Sequence, residues 1–235
     1  MKLNIDISIC NDTTQYATSN WEIKHIDSLR ALAVVVKTNR YSNAIFKDNY
    51  RKGENVKGFH KLLIFDIDNE ENMPYLSIQD AKKLLENKNI QALIIPSKNY
   101  QKIKGDKKAV DRFRIIIPTQ TPLNLLDSKT FREFQALISR QLGLNSFVDT
   151  KALSDRARYY DMSPISAPPY IIDKDDIIDI REFEKKAILN IQEKEETKLQ
   201  ELEKIKAIKQ NPNAFKNMPL LDQTQSLVKM ALMPF

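Results

Sequence analysis

Leu62-Leu63-Ile64-Phe65-Asp66-Ile67-Asp68-Asn69 runs four apolar residues into two carboxylates spaced two apart. Read as a β-strand, the stretch alternates its side chains between faces, so Asp66 and Asp68 point the same way. That sets two like charges about 6–7 Å apart on one face, which is costly unless something cationic sits between them. A divalent metal with oxygen ligands, Mg²⁺ or Mn²⁺, suits such a pair.

Downstream of this strand (residues 61–67), Ser77 opens a helix with Asp80 three residues later, a capping-box pattern. Ile78, Ala81, Leu84 and Leu85 form its apolar face. Residues 91–95 and 112–117 read as strands closed by Pro96 and Pro118. A basic connection with Lys102, Lys104, Lys107 and Lys108 lies between them. A helix follows from Asp127 or Ser128, with Phe131, Phe134, Leu137, Ile138 and Leu142 at helical spacing and Gly143 as its C-terminal cap. Upstream, residues 3–10 alternate with period two, as a half-buried strand does. Residues 27–37 read as a helix opened by Asp27, with Leu29, Leu32 and Val36 on one face, although Val34-Val35-Val36 is a β-branched run that disfavours it. Residues 147–173 hold short irregular elements.

Strands and helices in this order give an α/β (α+β) domain over residues 1–175. Residues 176–235 read as a helical appendage, or as a linker that leads to a further domain. Residues 174–209 are rich in Lys, Glu, Ile and Leu, and Leu199, Leu202, Ile205 and Ile208 make a narrow stripe. Asn211-Pro212-Asn213 breaks that helix, and residues 214–235 carry at most one more.

The 235 residues carry 42% hydrophobic side chains, enough for a core, and a net charge of +6, a modest lean toward polyanionic partners. A single cysteine, Cys10, excludes an intrachain disulfide framework and fits a reducing compartment. No apolar run reaches membrane-spanning length and the N-terminus lacks a signal-peptide core, so the chain is read as cytoplasmic and off the membrane. Two histidines, His25 and His60, exclude a multi-histidine zinc site. His60 lies before the acidic strand and is read as structural.

Asp149 follows the apolar pair Phe147-Val148, at the end of another short strand, and is placed to complete a three-carboxylate set. Lys98, Lys102, Lys104, Arg112 and Arg114 lie between the acidic strand and Asp149, with Arg156 and Arg158 beyond. Acids beside such a cluster suit a metal-bound polyphosphate, with metals bridging carboxylate and phosphate oxygens and cations neutralising the rest. Arg112 and Arg114 are again two apart, so both are expected on one face of their strand. The haloacid dehalogenase signature also ends a strand in Asp-x-Asp but continues Gly-Thr, where this chain has Asn69-Glu70. No Walker A loop occurs.

A third pattern fits better and covers about residues 40–165. Asp66 and Asp68, then Ser97-Lys98-Asn99-Tyr100-Gln101, then the strand from Asp111-Arg112-Phe113-Arg114, then Asp149, then Asp155-Arg156-Ala157-Arg158-Tyr159-Tyr160 with Ser163-Pro164, resemble in order and spacing the catalytic domain of archaeo-eukaryotic-type primases. The resemblance is to the primase-polymerase branch of plasmids and phages. It implies a mixed-sheet primase-polymerase core with an RNA-recognition-like half. Where the family has a histidine that contacts nucleotide phosphates, this chain has Asn99 or Tyr100, and Tyr100 donates a hydrogen bond but carries no charge.

The resemblance implies a DNA primase and DNA polymerase, a template-directed nucleotidyltransferase of DNA replication. Asp66, Asp68 and Asp149 would be its catalytic and metal-binding residues, holding two Mg²⁺ or Mn²⁺ ions. Ser97, Lys98, Tyr100, Arg112, Arg114 and Arg158 are the expected contacts to a nucleoside triphosphate. Arg40, Lys47, Arg51, Lys52, Lys102 and Lys104 are the expected contacts to a single-stranded DNA template, with Tyr41, Phe46, Tyr50 or Tyr159 available to stack on bases. A helicase domain or protein is a further expected partner. Two alternatives stay open: a catalytically impaired single-strand DNA-binding or replication-initiation module, and a metal-dependent nuclease using the same acids to activate water.

Overall fold

The computed structural model describes residues 3–11, 16–71, 73–103, 105, 108–148, 152–174 and 176–210. The chain divides into two compact units, Met1–Ala187 and Ile188–Phe235.

The first unit is α+β, built on a four-stranded sheet. Strands β6 (Leu62–Ile67), β7 (Ala92–Pro96), β8 (Phe113–Pro118) and β9 (Tyr170–Ile172) stand in the order β6-β8-β7-β9. Helix α2 (Ile78–Asn87) connects β6 to β7, and α3 (Ser128–Leu142) follows β8, giving the order βαββαβ. β6 and β7 run parallel with β8 inserted antiparallel between them, a split βαβ unit. All ladders of the sheet are antiparallel, and parallel bridges join Ile90 to Asp176 and Thr119 to Ile178. N-terminal to it, β1 (Ile5–Cys10) is flanked by β2 (Trp21–Ile26) and β3 (Arg40–Ser42), and β4 (Ala44–Phe46) pairs with β5 (Val56–Phe59).

Strand alternation divides the apolar residues between two cores. Leu63, Phe65 and Ile67 of β6, with Ile94 of β7 and Ile115 and Ile117 of β8, pack against Ala81 and Leu85 of α2 and Phe131, Phe134 and Ile138 of α3. Leu62, Ile64, Leu93, Ile95 and Ile116 face the other way. They pack against β1 and helix α1 (Leu29–Thr38), through Ile7, Ile9, Leu32 and Val36. β6 is therefore apolar on both faces until position 66, where a carboxylate replaces the next residue of the second core.

The sequence reading places Asp27 at the start of α1; the cap is Ser28, whose Oγ accepts from Ala31 N at 3.2 Å. The valine run stays helical because Val35 and Val36 are buried while Val34 faces solvent, and burial outweighs a propensity difference of a few tenths of a kcal/mol. Asp127 caps α3 through Thr130 N, and Gly143 closes it at φ +76°. The long helix α4 (Arg181–Gln210) begins seven residues later than residue 174, because residues 174–180 carry the two bridges to Asp176 and Ile178. Within α4, Ile205 is buried and Leu199 is 58% exposed. Strands β2 to β5 and β9 were not expected: β3, β4, β5 and β9 have only three or four residues, and β2 buries only its two ends. Residues 211–235, with the expected break at Asn211-Pro212-Asn213, lie outside the described residues. No helix among the described residues is long and apolar enough to cross a membrane.

Candidate active site

Asp66 occupies the penultimate position of β6, in register with Arg114 of β8. Its side chain is 12% exposed, and both oxygens are engaged: Oδ1 lies 3.4 Å from Arg114 Nε and Oδ2 accepts from Arg158 Nη2 at 2.8 Å. The alternation that buries Ile64 and Ile116 in the second core carries Asp66 and Arg114 to that face, where an isolated charge of either sign would be costly.

Arg114 is held through Nη1 and its ring contacts, while its Nε, paired with Asp66 only at ion-pair distance, makes no hydrogen bond among the described residues. Its Nη1 donates to the Tyr41 hydroxyl at 3.2 Å and to Asp161 O at 2.7 Å. Its guanidinium lies 5.7 Å from the Tyr41 ring centroid and 5.1 Å from that of Tyr160, and these two rings stack 5.4 Å apart. Burial works against the charge, but the oxygens of Tyr41 and Asp66 hold the Arg114 pKa above its ordinary value. Burial also raises the Tyr41 and Tyr160 hydroxyls, so both rings stay neutral. The bridge between Tyr41 and Tyr160 ties β3 to the segment that carries Arg158. Arg158 is less enclosed, with 26% of its side chain exposed.

Asp161 joins a second expected element to the first. It pairs with Arg40 Nε at 3.0 Å and with Lys98 Nζ, and these two cations keep its carboxyl below the usual range although burial pushes the other way. Ser97 is buried, its N–H donating to Arg112 O at 2.8 Å and its Oγ accepting from Asn99 N at 3.3 Å. The start of the Ser97–Gln101 loop thus stands beside the Asp66 cluster through Lys98, Asp161 and Arg114.

The rest of that loop is turned to its own construction. Tyr100 lies near Asp111; burial and then that carboxylate raise its pKa. Gln101 Nε2 donates to the same Asp111. Arg112 lies just before β8, is 3% exposed, and donates to the carbonyls of Lys102 at 2.9 Å, Lys108 at 3.0 Å and Asn99 at 3.4 Å. It organises the loop, whereas Arg114 organises Asp66, so two basic residues two apart serve two different places.

Of the expected template contacts, Arg40 is held by Asp161 and lies over the Tyr159 ring at 5.8 Å. Arg51 lies over the same ring at 4.5 Å and donates to Tyr16 O and Ala17 O at 2.6 and 3.2 Å. Lys47, Lys52 and Lys102 are exposed, with Lys52 paired to Glu54 at 2.7 Å. Tyr41 is fully buried and Phe46 is 4% exposed, which removes both as base-stacking surfaces; Tyr50 is 44% exposed and Tyr159 half-buried. Lys104 and Asp149 lie outside the described residues. Val148 forms an antiparallel bridge with Ile67, the residue between Asp66 and Asp68.

Sequence reasoning missed Asp161 and Gln135, and did not place Asp155 beside Asp66. Asp161 follows directly on the Arg-Tyr-Tyr block, which was the available signal. Asp66, Gln135, Val148, Asp155, Arg158 and Tyr160 line one cleft of about 30 Å³, and nothing in the spacing of Gln135 on α3 distinguishes it from a surface glutamine. Asp66 and Asp68, the latter half-buried, are hard oxygen donors of the kind Mg²⁺ and Mn²⁺ take. A carboxylate offers about four lone-pair sites, so the two guanidiniums leave Asp66 room for a cation. Among the described residues no group of three His, Cys, Asp or Glu side chains gathers as a metal site.

No family model matches the chain, and no curated protein matches it. Among solved structures, the AEP domain of the cyanophage S-2L primase-polymerase is similar at a TM-score of 0.38 and 8% identity, over 77% of this chain and 86% of that one. The polymerase domain of ligase D from Mycobacterium tuberculosis, solved in complex with DNA, is similar at a TM-score of 0.32 and 13% identity, over 77% of this chain and 70% of that one.

Proposed function

We propose that the chain is a template-directed nucleotidyltransferase, a DNA primase-polymerase acting in replication of a plasmid or phage. The observation that carries this reading is the Ile67–Val148 bridge. Val148 is the chain neighbour of Asp149, and Ile67 is the residue between Asp66 and Asp68, so the ordered motif of three acids has its first two members and the neighbour of its third at one strand end.

In this reading Asp66, Asp68 and Asp149 hold two Mg²⁺ or Mn²⁺ ions, whose chemistry is to make a 3′-hydroxyl a better nucleophile and to stabilise the departing pyrophosphate. The protein's own part is positioning and charge. Arg114, held beside the stacked rings of Tyr41 and Tyr160, fixes the orientation of Asp66. Arg158, the more exposed of the two arginines on Asp66, is the one able to swing toward a phosphate. Lys98, 56% exposed at the head of its loop, is the second cation in reach of solvent. Lys47, Lys52 and Lys102 would meet template phosphates, giving binding that weakens with salt.

A second reading, a binding module without turnover, is favoured by one feature. Where the family has a phosphate-contacting histidine, this chain has Asn99 or Tyr100, and Tyr100 lies near Asp111.

Incorporation of labelled dNTP on a primed single-stranded template, and synthesis on an unprimed one, tests both in Mn²⁺ or Mg²⁺. The reading predicts incorporation by the wild type and a loss of about a hundredfold or more in Asp68→Asn and Asp149→Asn. Template binding with no incorporation favours the module, and template cleavage without incorporation favours a nuclease.

A further inference from the structure

β6 is an outer strand of its sheet, and its outer edge is tied to the rest of the unit at separate points. Asn43 Nδ2 donates to Leu62 O at 3.0 Å, the Tyr160 hydroxyl donates to Ile64 O at 3.4 Å, and Ile67 bridges Val148. A cleft of about 30 Å³ remains along this stretch, lined by Asp66, Gln135, Asp155 and Arg158 with Asn43, Tyr160 and apolar neighbours. A volume of that size accommodates about two small oxygen-centred species, at roughly one probe sphere each. Because it lies at a strand edge, side chains from either face of the sheet can reach it.

Gln135 arrives from α3, on the helix-covered face. It is only 5% exposed, and its helical neighbours Phe131, Phe134 and Ile138 are core. Its Oε1 has no hydrogen-bond partner among the described residues. An amide acceptor buried without a partner destabilises a fold, and an apolar side chain of similar size would serve the core better. An unpaired acceptor that lines the same cleft as Asp66 points to a donor bound there.

We propose that Gln135 is a positioning residue for a divalent cation at Asp66: its amide oxygen accepts a hydrogen bond from a water which that cation coordinates. The inference rests on the metal-binding reading above. A cation polarises its bound water and makes it a strong donor, and partners of this outer kind orient the ligands and tune metal affinity. The cleft has room for the water and the orphaned acceptor supplies its anchor.

Mn²⁺ alone, titrated into the full chain and followed by electron paramagnetic resonance, tests the proposal in wild type, Asp66→Asn, Gln135→Leu and Gln135→Glu. Each variant's urea midpoint is measured alongside. Asp66→Asn is expected to lose the site. Gln135→Leu is expected to weaken Mn²⁺ at least about tenfold while its midpoint equals or exceeds that of the wild type, because an orphaned acceptor gives way to apolar volume. Gln135→Glu, which retains acceptor oxygens, is expected to keep the Mn²⁺ site. A purely structural glutamine would lower the midpoint of Gln135→Leu and leave Mn²⁺ affinity unchanged, and that result overturns the proposal. If Asp66→Asn binds Mn²⁺ as the wild type does, the metal-binding reading itself falls. If Asp66→Asn loses Mn²⁺ and Gln135→Leu does not, only the role of Gln135 falls.

Discussion

At the scale of single residues, Arg114 is the enclosed charge that faces Asp66, only 6% exposed. Replacing it with alanine leaves Asp66 with Arg158 as its remaining guanidinium and empties the space beside the stacked Tyr41 and Tyr160 rings. Loss of one partner of a buried ion pair is expected to lower stability by about 3–5 kcal/mol, read from urea unfolding; a loss below about 1 kcal/mol contradicts the account. His60 gives a pH signature. Its Nε2 lies 3.0 Å from Ser8 Oγ, which itself donates to Ala44 O at 2.6 Å, so the ring is a neutral donor at Nε2. Burial lowers its pKa from 6.5 to about 4. Between those values the unfolded chain binds the extra proton, so stability falls as pH drops from 6.5 toward 4, by on the order of 3 kcal/mol in all. Urea midpoints measured across that range should fall for the wild type and fall less for His60→Gln; identical slopes would remove His60 as the cause. Tyr100→His would set an ionisable ring beside Asp111 in the loop that begins at Ser97, and is expected to tighten dNTP binding about tenfold. An unchanged dissociation constant by calorimetry means the motif does not lie at Tyr100.

At the scale of elements, signals of local chemistry translated directly. Ser77 caps α2, its Oγ accepting from Asp80 N at 3.1 Å, Asp127 caps α3, and Pro96 and Pro118 close β7 and β8. Gly143 ends α3 in the left-handed region, and a Cβ there would lie 3.4 Å from Leu84 Cδ1. Gly143→Ala is therefore expected to destabilise by about 1–2 kcal/mol, seen as a lower thermal midpoint; an unchanged midpoint would mean the α3 terminus rearranges freely. What was not legible were elements made by partners distant in sequence. β2 has a solvent-facing middle and exists because β1 pairs with it along its whole length. β3 is three residues held by β1 on one side and by Tyr160 on the other.

At the scale of the whole molecule, the acidic strand and the order βαββα from β6 to α3 were readable because each depends on runs of neighbouring residues, whereas β9 falls in residues 147–173, read as irregular. The candidate site was half readable. Asp66, Arg114 and Arg158 stand together as the motif order implies, but the second carboxylate hub, Asp161, and the buried acceptor Gln135 come from tertiary closure that no spacing encodes. Alternation put Arg112 and Arg114 on one face, yet Arg112 precedes the strand and its guanidinium answers to loop carbonyls. Charge reads in the same way: the chain carries +6, but Arg40, Lys98, Arg114 and Arg158 are each paired with Asp66 or Asp161. The proposed function requires that Asp66, Asp68 and Asp149 share metal ions. Crystals grown with Mn²⁺ and a non-hydrolysable dNTP, measured at the manganese absorption edge, address it most directly. The account predicts anomalous peaks about 2.1–2.2 Å from carboxylate oxygens of Asp66, Asp68 and Asp149; an Asp66 bound only by Arg114 and Arg158, with no peak beside it, contradicts the account.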